Sequence, residues 1–186
     1  MTSASVQIPG FVAGKWAIDP VHSHVGFSVR HLAVSKVRGE FKTFSGEIVT
    51  TENPLDSSVT ATIDLGSIDT NNEGRDGHLK SADFFETDKH PTLTFASTAV
   101  RQDGDDFIVA GDLTIKGVTK QVELKLEVNG FGPSPAGTVA GFTATTEIDR
   151  RDFGVNFTGS VPGTDVLMVA NKISITLEIE AGLQEG

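Results

Sequence analysis

Long runs in which apolar and polar residues alternate with period two constrain this chain more than any other feature of it. Such alternation sends successive side chains to opposite faces of a half-buried β-strand. Val21, Ser23, Val25, Phe27, Val29 and His31 share one face of the first run, and His22, His24, Gly26, Ser28 and Arg30 share the other. Its ten steps at about 3.3 Å each span roughly 33 Å, and strands of that length curl and suit a barrel. Asp19 and Pro20 make a bend ahead of it, because proline cannot donate to a sheet ladder and belongs at a strand's beginning. A second run, near Val37 to Thr50, slips phase between Phe41 and Phe44. A bulge at Lys42 and Thr43 accounts for the slip and bends the sheet towards closure.

The pattern continues downstream. Val59, Ala61, Ile63 and Leu65 share a face, as do Leu93, Phe95 and Ser97, then Phe107, Val109, Gly111, Leu113 and Ile115, then Val122, Leu124, Leu126 and Val128. Asp103-Gly104 and Lys116-Gly117 read as tight hairpin turns, and the proline- and glycine-containing stretch from Gly130 to Gly137 as a hairpin connection. Two last strands lie near Thr138 to Ile148 and Val166 to Ile179. The expectation is an all-β fold, an eight-stranded antiparallel barrel, built as one domain over residues 15–181 between an N-terminal extension (1–14) and a C-terminal tail (182–186).

One segment breaks the alternation. From Asn71 to His90, Arg75, His78 and Leu79 are spaced as one helical face, so a short helical insert is expected near 72–85. Phe84 and Phe85 give it an apolar seat, while Gly74 and Gly77 weaken the helix. It reads as a cap over one end of the barrel, and Arg75 and His78 can anchor a phosphate or quinone oxygen there. The competing reading pairs Arg75 with Asp76 or Asp83 to hold the insert down.

Composition excludes several function classes. A net charge of -10 disfavours nucleic acid and a strongly anionic membrane surface, and no stable membrane insertion is expected. The absence of cysteine removes thiolate nucleophiles and sulfur-ligated metals. MTSASVQIPGFVAGKW contains no signal-peptide pattern, so the cytoplasm is the simplest address. There is no Gly-x-Ser-x-Gly elbow, phosphate-cradling loop or dinucleotide fingerprint, so no catalytic residues are assigned. His22-x-His24 is the only metal-like spacing, and two imidazoles without a third ligand do not make a metal site. Twelve Phe against no Tyr favour an oily lumen, and an eight-stranded barrel holds either its own side chains or one slender ligand.

A set of motifs points to a family. Trp16-Ala17-Ile18-Asp19-Pro20-Val21-His22-Ser23 with Phe27 and His31 is followed in order by Gly39-x-Phe41-x-x-Phe44-x-Gly46 and Arg75-Asp76-x-His78-Leu79 with Phe84 and Phe85. His90-Pro91 with Phe95, Gly111 to Thr119 and Arg151-Asp152-Phe153-Gly154 complete it. In these the chain resembles the YceI-like proteins from about Trp16 to Ile179. The resemblance implies a lipocalin-like barrel, commonly a homodimer, that is no enzyme and needs no cofactor. It implies that the tunnel binds, stores or transports a polyisoprenoid of the prenyl pyrophosphate or isoprenoid quinone type.

The candidate ligand-binding residues are Phe27, His31, Phe41, Phe44, Ile63, Leu65, Arg75, His78, Phe84, Phe95, Leu113, Phe142 and Phe153. His31, by its parity with Phe27 and Val29, is either a ligand contact near one end of the lumen or a core histidine bonded to a carbonyl. Arg150, Arg151 and Asp152, before Phe153-Gly154, read first as a corner ion pair and second as groups facing a ligand head group. Two other functions compete with the carrier: a small hydrolase or isomerase using a histidine and carboxylate pair, and a stress-related interaction protein with a filled barrel.

Overall fold

The computed structural model describes residues 6–185. Its strands are β1 (Gly14–Ile18), β2 (His24–His31), β3 (Ser35–Phe41), β4 (Phe44–Thr50), β5 (Ser58–Asp64), β6 (Ile68–Asp69), β7 (Thr92–Asp103), β8 (Asp106–Ile115), β9 (Val118–Ser134), β10 (Gly137–Asp149) and β11 (Val169–Leu183), with one helix, α1 (Glu73–Leu79), between β6 and β7. Every pairing is antiparallel.

The first six strands occupy only three positions in the barrel wall. β1 and β2 lie end to end along β11, with Ile18 opposite Ala181 and His24 opposite Glu178. β3 and β4 likewise form one bent strand beside them, interrupted at Lys42 and Thr43, and β5 and β6 form the next. With β7 to β11 this makes an eight-position closed meander, in which β11 returns to pair with β1. The phase slip at Lys42 and Thr43 is thus the corner where β3 passes into β4, as the alternation implied.

Four details depart from the pattern of alternation. The strand expected from Val21 begins only at His24, because the bend at Asp19 runs on through Ser23. Leu65 leaves the strand and begins a single 3-10 turn, Leu65–Ser67, capped by the Asp64 carboxylate accepting from the Gly66 N–H. β9 continues through Pro133, so the hairpin connection shrinks to Pro135 and Ala136. At the Lys116-Gly117 turn both central residues have positive φ, 54° and 75°, the geometry whose twist matches paired strands. β11 runs to Leu183, and Ile8 and Phe11 lie against the barrel interior, so the flanking segments join the wall. Residues 1–5 of the expected extension and Gly186 of the tail lie outside the described residues.

One end is fastened by Trp16, 1% exposed, which packs with Ala140 and Ala181 and meets Phe131 edge-on at 5.5 Å. Its indole N–H donates to Thr50 Oγ1 at 2.8 Å. The same hydroxyl accepts from the Gly14 N–H at 3.0 Å and donates to the Val12 carbonyl at 2.8 Å. Thr50→Val keeps the shape but leaves two donors and an acceptor without partners. Only the indole bond is wholly buried, and since an orphaned buried group costs about 1 to 3 kcal/mol while the part-buried pair can turn to water, a loss of about 1 to 3 kcal/mol in urea unfolding is expected.

Candidate functional site

The barrel interior is hollow. Inward side chains enclose a cavity of about 310 Å³ bounded by all eight wall positions. Along β11 the wall residues run from Val169 to Ile179, ten steps that cover about 33 Å of strand and, at a tilt of about 40°, about 25 Å of barrel axis. Among the described lining residues, hydroxyl groups enter the wall only at Ser45, Thr50, Ser57, Ser58 and Thr146, and the one ionisable residue is Arg150.

Phe27, Phe41, Phe44, Ile63, Phe84, Phe95, Leu113, Phe142 and Phe153 all line the cavity. Two small residues matter here for a reason that alternation does not reveal. The Phe27 ring lies over Gly39 and the Phe95 ring over Gly111, so closely that a Cβ at either glycine would strike the ring. Removing those side chains lets the rings lie flat against the wall, which keeps the lumen open.

Four expected residues sit elsewhere. His31 is exposed, because β2 continues past Val29, its last lining residue. Leu65 is fully buried within the core beside the lumen and does not line it. Arg75 turns from the cavity to Thr70, donating from Nε to Oγ1 at 2.7 Å and from a terminal nitrogen to the carbonyl at 2.6 Å. Asp76 accepts from the Thr70 N–H at 2.9 Å, so Arg75 and Asp76 both fasten α1 to the end of β6. His78, not Arg75, reaches Asp83, with Nε2 2.8 Å from Oδ2. Helical spacing grouped Arg75 and His78 with Leu79, but of the three only Leu79 meets the lumen, while Arg75 and His78 make local contacts.

The insert nevertheless closes one end. Leu79, Phe84 and Phe85 line the cavity from α1 and the turns after it. Phe84 lies 4.9 Å from Phe157, centroid to centroid, and His78 stands edge-on to both rings at 5.1 and 5.5 Å. The cap therefore has two flaps, the insert and the loop 154–168. Lys116 bridges them, its ammonium 3.5 Å from the Ala82 and Gly154 carbonyls.

Arg150 holds the second flap, a role that the run Arg150-Arg151-Asp152 does not disclose. A 3-10 turn, Arg150–Phe153, aims it inward while Arg151 folds back on Asp149. Three contacts from Arg151, at 3.0, 3.0 and 2.6 Å, hold the Asp149 carboxyl down at about 2. Arg150 is 5% exposed and donates to the carbonyls of Val155 (2.8 Å), Phe157 (2.7 Å), Ala170 (3.0 Å) and Val169 (3.3 Å). Burial lowers its pKa and the nearby Asp149 charge opposes that shift. Its side chain ties both ends of the loop to the rim. Arg150→Leu strands these carbonyls, so a loss of about 3 kcal/mol or more and early proteolysis within 154–168 are expected.

Histidine and carboxylate pairs do occur, on the outside. Besides His78 and Asp83, His24 lies 2.8 Å from Glu40, and His22 lies 2.8 Å from Asp19 and 3.4 Å from Glu180. None of these histidines lines the lumen, and the two imidazoles of His22-x-His24 go to different carboxylates. The hydrogen bond between His22 and Asp19 raises the imidazole pKa above its ordinary 6.5 and lowers the carboxyl below 3.8. The carboxylate's contribution is complete above 3.8 and lost as pH falls through its lowered value. The imidazole's is complete below 6.5 and lost as pH rises through its raised value. Asp19→Asn should return the His22 titration towards 6.5, read from its imidazole proton shifts; an unmoved midpoint would contradict this assignment.

A closed antiparallel meander around an apolar lumen defines a lipocalin-like barrel. The family model for the YceI-like domain matches residues 16–181, and the chain belongs to that family. It is 40% identical to protein YceI of Escherichia coli over 178 residues, covering 94% of this chain and 89% of that one. The crystal structure of Burkholderia cenocepacia BcnA superposes with a TM-score of 0.74 at 25% identity, covering 88% of this chain and 98% of BcnA. A polyisoprenoid binding domain from Saccharophagus degradans, implicated in plant cell wall breakdown, shares the fold with a TM-score of 0.69 at 17% identity, covering 93% and 100%. No described helix is long and apolar enough to cross a membrane.

Proposed function

We propose that the protein binds one long apolar lipid in its lumen, a polyisoprenoid of the prenyl pyrophosphate or isoprenoid quinone type, and stores or carries it without altering it. The hollow, slender lumen carries this reading. A volume of about 310 Å³ drawn out over about 25 Å suits a single chain better than a fused ring system. Binding such a chain recovers about 25 cal/mol for each Å² of apolar surface removed from water. Arg150 sets a positive charge at the capped end, which suits an anionic or carbonyl-bearing head group. The family membership and the polyisoprenoid-binding domain that shares the fold support the same ligand class.

A filled barrel is at odds with the cavity. The hydrolase or isomerase reading requires an acid and base beside bound substrate, and the three histidine and carboxylate pairs described lie outside the lumen.

Native mass spectrometry of protein purified from its own host, with organic extraction, tests the proposal. A bound apolar species is expected, and it should be lost from Ala144→Trp, which places an indole in the lumen from a lining position, while the far-ultraviolet circular dichroism stays that of a folded β-protein. Native protein that carries no lipid and takes up no long-chain prenyl compound at micromolar concentration would refute it.

A further inference from the structure

The β2–β3 hairpin carries groups that neither barrel closure nor the lumen uses. Residues 28–38 contain Arg30, Lys36 and Arg38 and no carboxylate, in a chain whose net charge is -10. All three cations are exposed, on the outward-facing parity of their strands. Arg30 and Lys36 stand directly opposite one another across the pair, where like charges repel. No described carboxylate forms an ion pair with any of the three.

The tip between them is apolar and strained. Leu32 and Ala33 both adopt left-handed backbone, φ 53° and 60°, in a turn closed by the Val34 N–H donating to the His31 carbonyl at 3.2 Å. Asparagine and glycine are the residues that relieve such a turn, so leucine and alanine here sacrifice local stability. Val34 is 82% exposed. Beside it, loop 160–168 exposes Val166 and Met168, and the Met168 carbonyl accepts from the Leu32 N–H at 3.2 Å. Asp165 is the only carboxylate on that loop. An apolar point ringed by unpaired cations is the chemistry of attachment to an anionic lipid surface.

We infer that this tip and the adjoining loop form a docking surface for a bilayer containing anionic phospholipid. The position is apt, because loop 160–168 belongs to the flap that Arg150 ties down at the lumen's capped end. Docking there brings the flap to the membrane, where an apolar chain can pass between bilayer and lumen with little exposure to water. The biological purpose rests on the proposed lipid carriage, but attachment to vesicles is read independently of what fills the lumen.

Full-length protein is mixed with phosphatidylcholine vesicles with or without phosphatidylglycerol, and bound protein is measured by co-sedimentation at low and high salt. Binding is expected only with phosphatidylglycerol and should weaken as salt rises. Arg30→Gln with Lys36→Gln should lower partitioning on the order of 20- to 30-fold, taking about fivefold for each cation near the surface. Val34→Asp should lower it also. Removing the facing cations relieves repulsion, so the double variant should melt no lower than the native protein and keep its native lumen content by mass spectrometry. The inference is overturned if native protein fails to bind, binds neutral vesicles equally, or if the folded double variant binds as well as native protein. A lumen found empty of lipid while anionic vesicles still bind refutes the carrier and leaves the docking surface standing.

Discussion

The whole structure depends on the seam at which β11 returns to the start of the chain. A sheet of this length left open would present an unpaired edge at each side, and closure removes both. The difficulty is that the closing position is occupied by two strands, β1 and β2, with a bend between them. At that break Glu180 would lose its ladder partners. Its carbonyl instead accepts from the Asp19 N–H at 2.8 Å and from the Ser23 hydroxyl at 3.2 Å, and its N–H donates to the same hydroxyl at 3.0 Å. Asp19 also accepts from the Val21 N–H at 2.8 Å and holds His22. The Ser23 hydroxyl and the Asp19 backbone N–H thus bridge the gap, while the Asp19 carboxylate holds the bend.

Once the wall closes, what the inward residues do follows from their size and from the ends. Eight strands leave room for either a packed interior or a slender void, and the void survives here because the largest rings are accommodated in the wall. Phe27 over Gly39 and Phe95 over Gly111 take their volume from the neighbouring strand instead of the lumen. The two ends are treated differently. At one, Trp16 and Thr50 form a hydrogen-bonded knot among buried alanines. At the other, closure is by two flaps meeting through aromatic rings, with Arg150 gripping one of them by its backbone carbonyls. Ring contacts between the flaps are worth about 0.5 to 1.5 kcal/mol each beyond burial.

Alternation made the barrel legible, because the side-chain period of a strand depends only on which face is wet. The corner at Lys42 and Thr43 showed for the same reason, as a break in phase. Parity reports a face and not a position along the axis, and the site assignments separate on that difference. Phe27 and His31 share a face, yet the barrel interior ends at Val29 and His31 stands outside. Leu65 continued an apolar run that the Asp64 cap diverts into a turn. Arg75 and His78 share a helical face whose partners, Thr70 and Asp83, are local. Arg150 is the converse case: beside Arg151 and Asp152 it reads first as part of a corner ion pair, and the 3-10 turn is what separates it from them and buries it. Lining residues such as Val109, Leu126 and Ile175 carried the same period-two signal as the assigned ones, and their chemistry did not distinguish them from ordinary core.

Net charge misleads in the same way that parity does, by averaging over position. At -10 the chain as a whole is repelled by an anionic surface, but repulsion between solvated charges fades over about 8 to 10 Å at physiological salt. A barrel some 25 Å long therefore presents its two ends to a surface almost independently. The end bearing Arg30, Lys36 and Arg38 meets a bilayer as a local cation, and the acidic remainder acts at a distance where it is largely screened. The same asymmetry orients the molecule, since residues 28–38 hold three cations and no carboxylate in a chain whose net charge is -10. An acidic protein with one basic, apolar rim can thus visit a membrane with its lumen end foremost and leave again, which a uniformly basic protein, held at any orientation, could not do as readily.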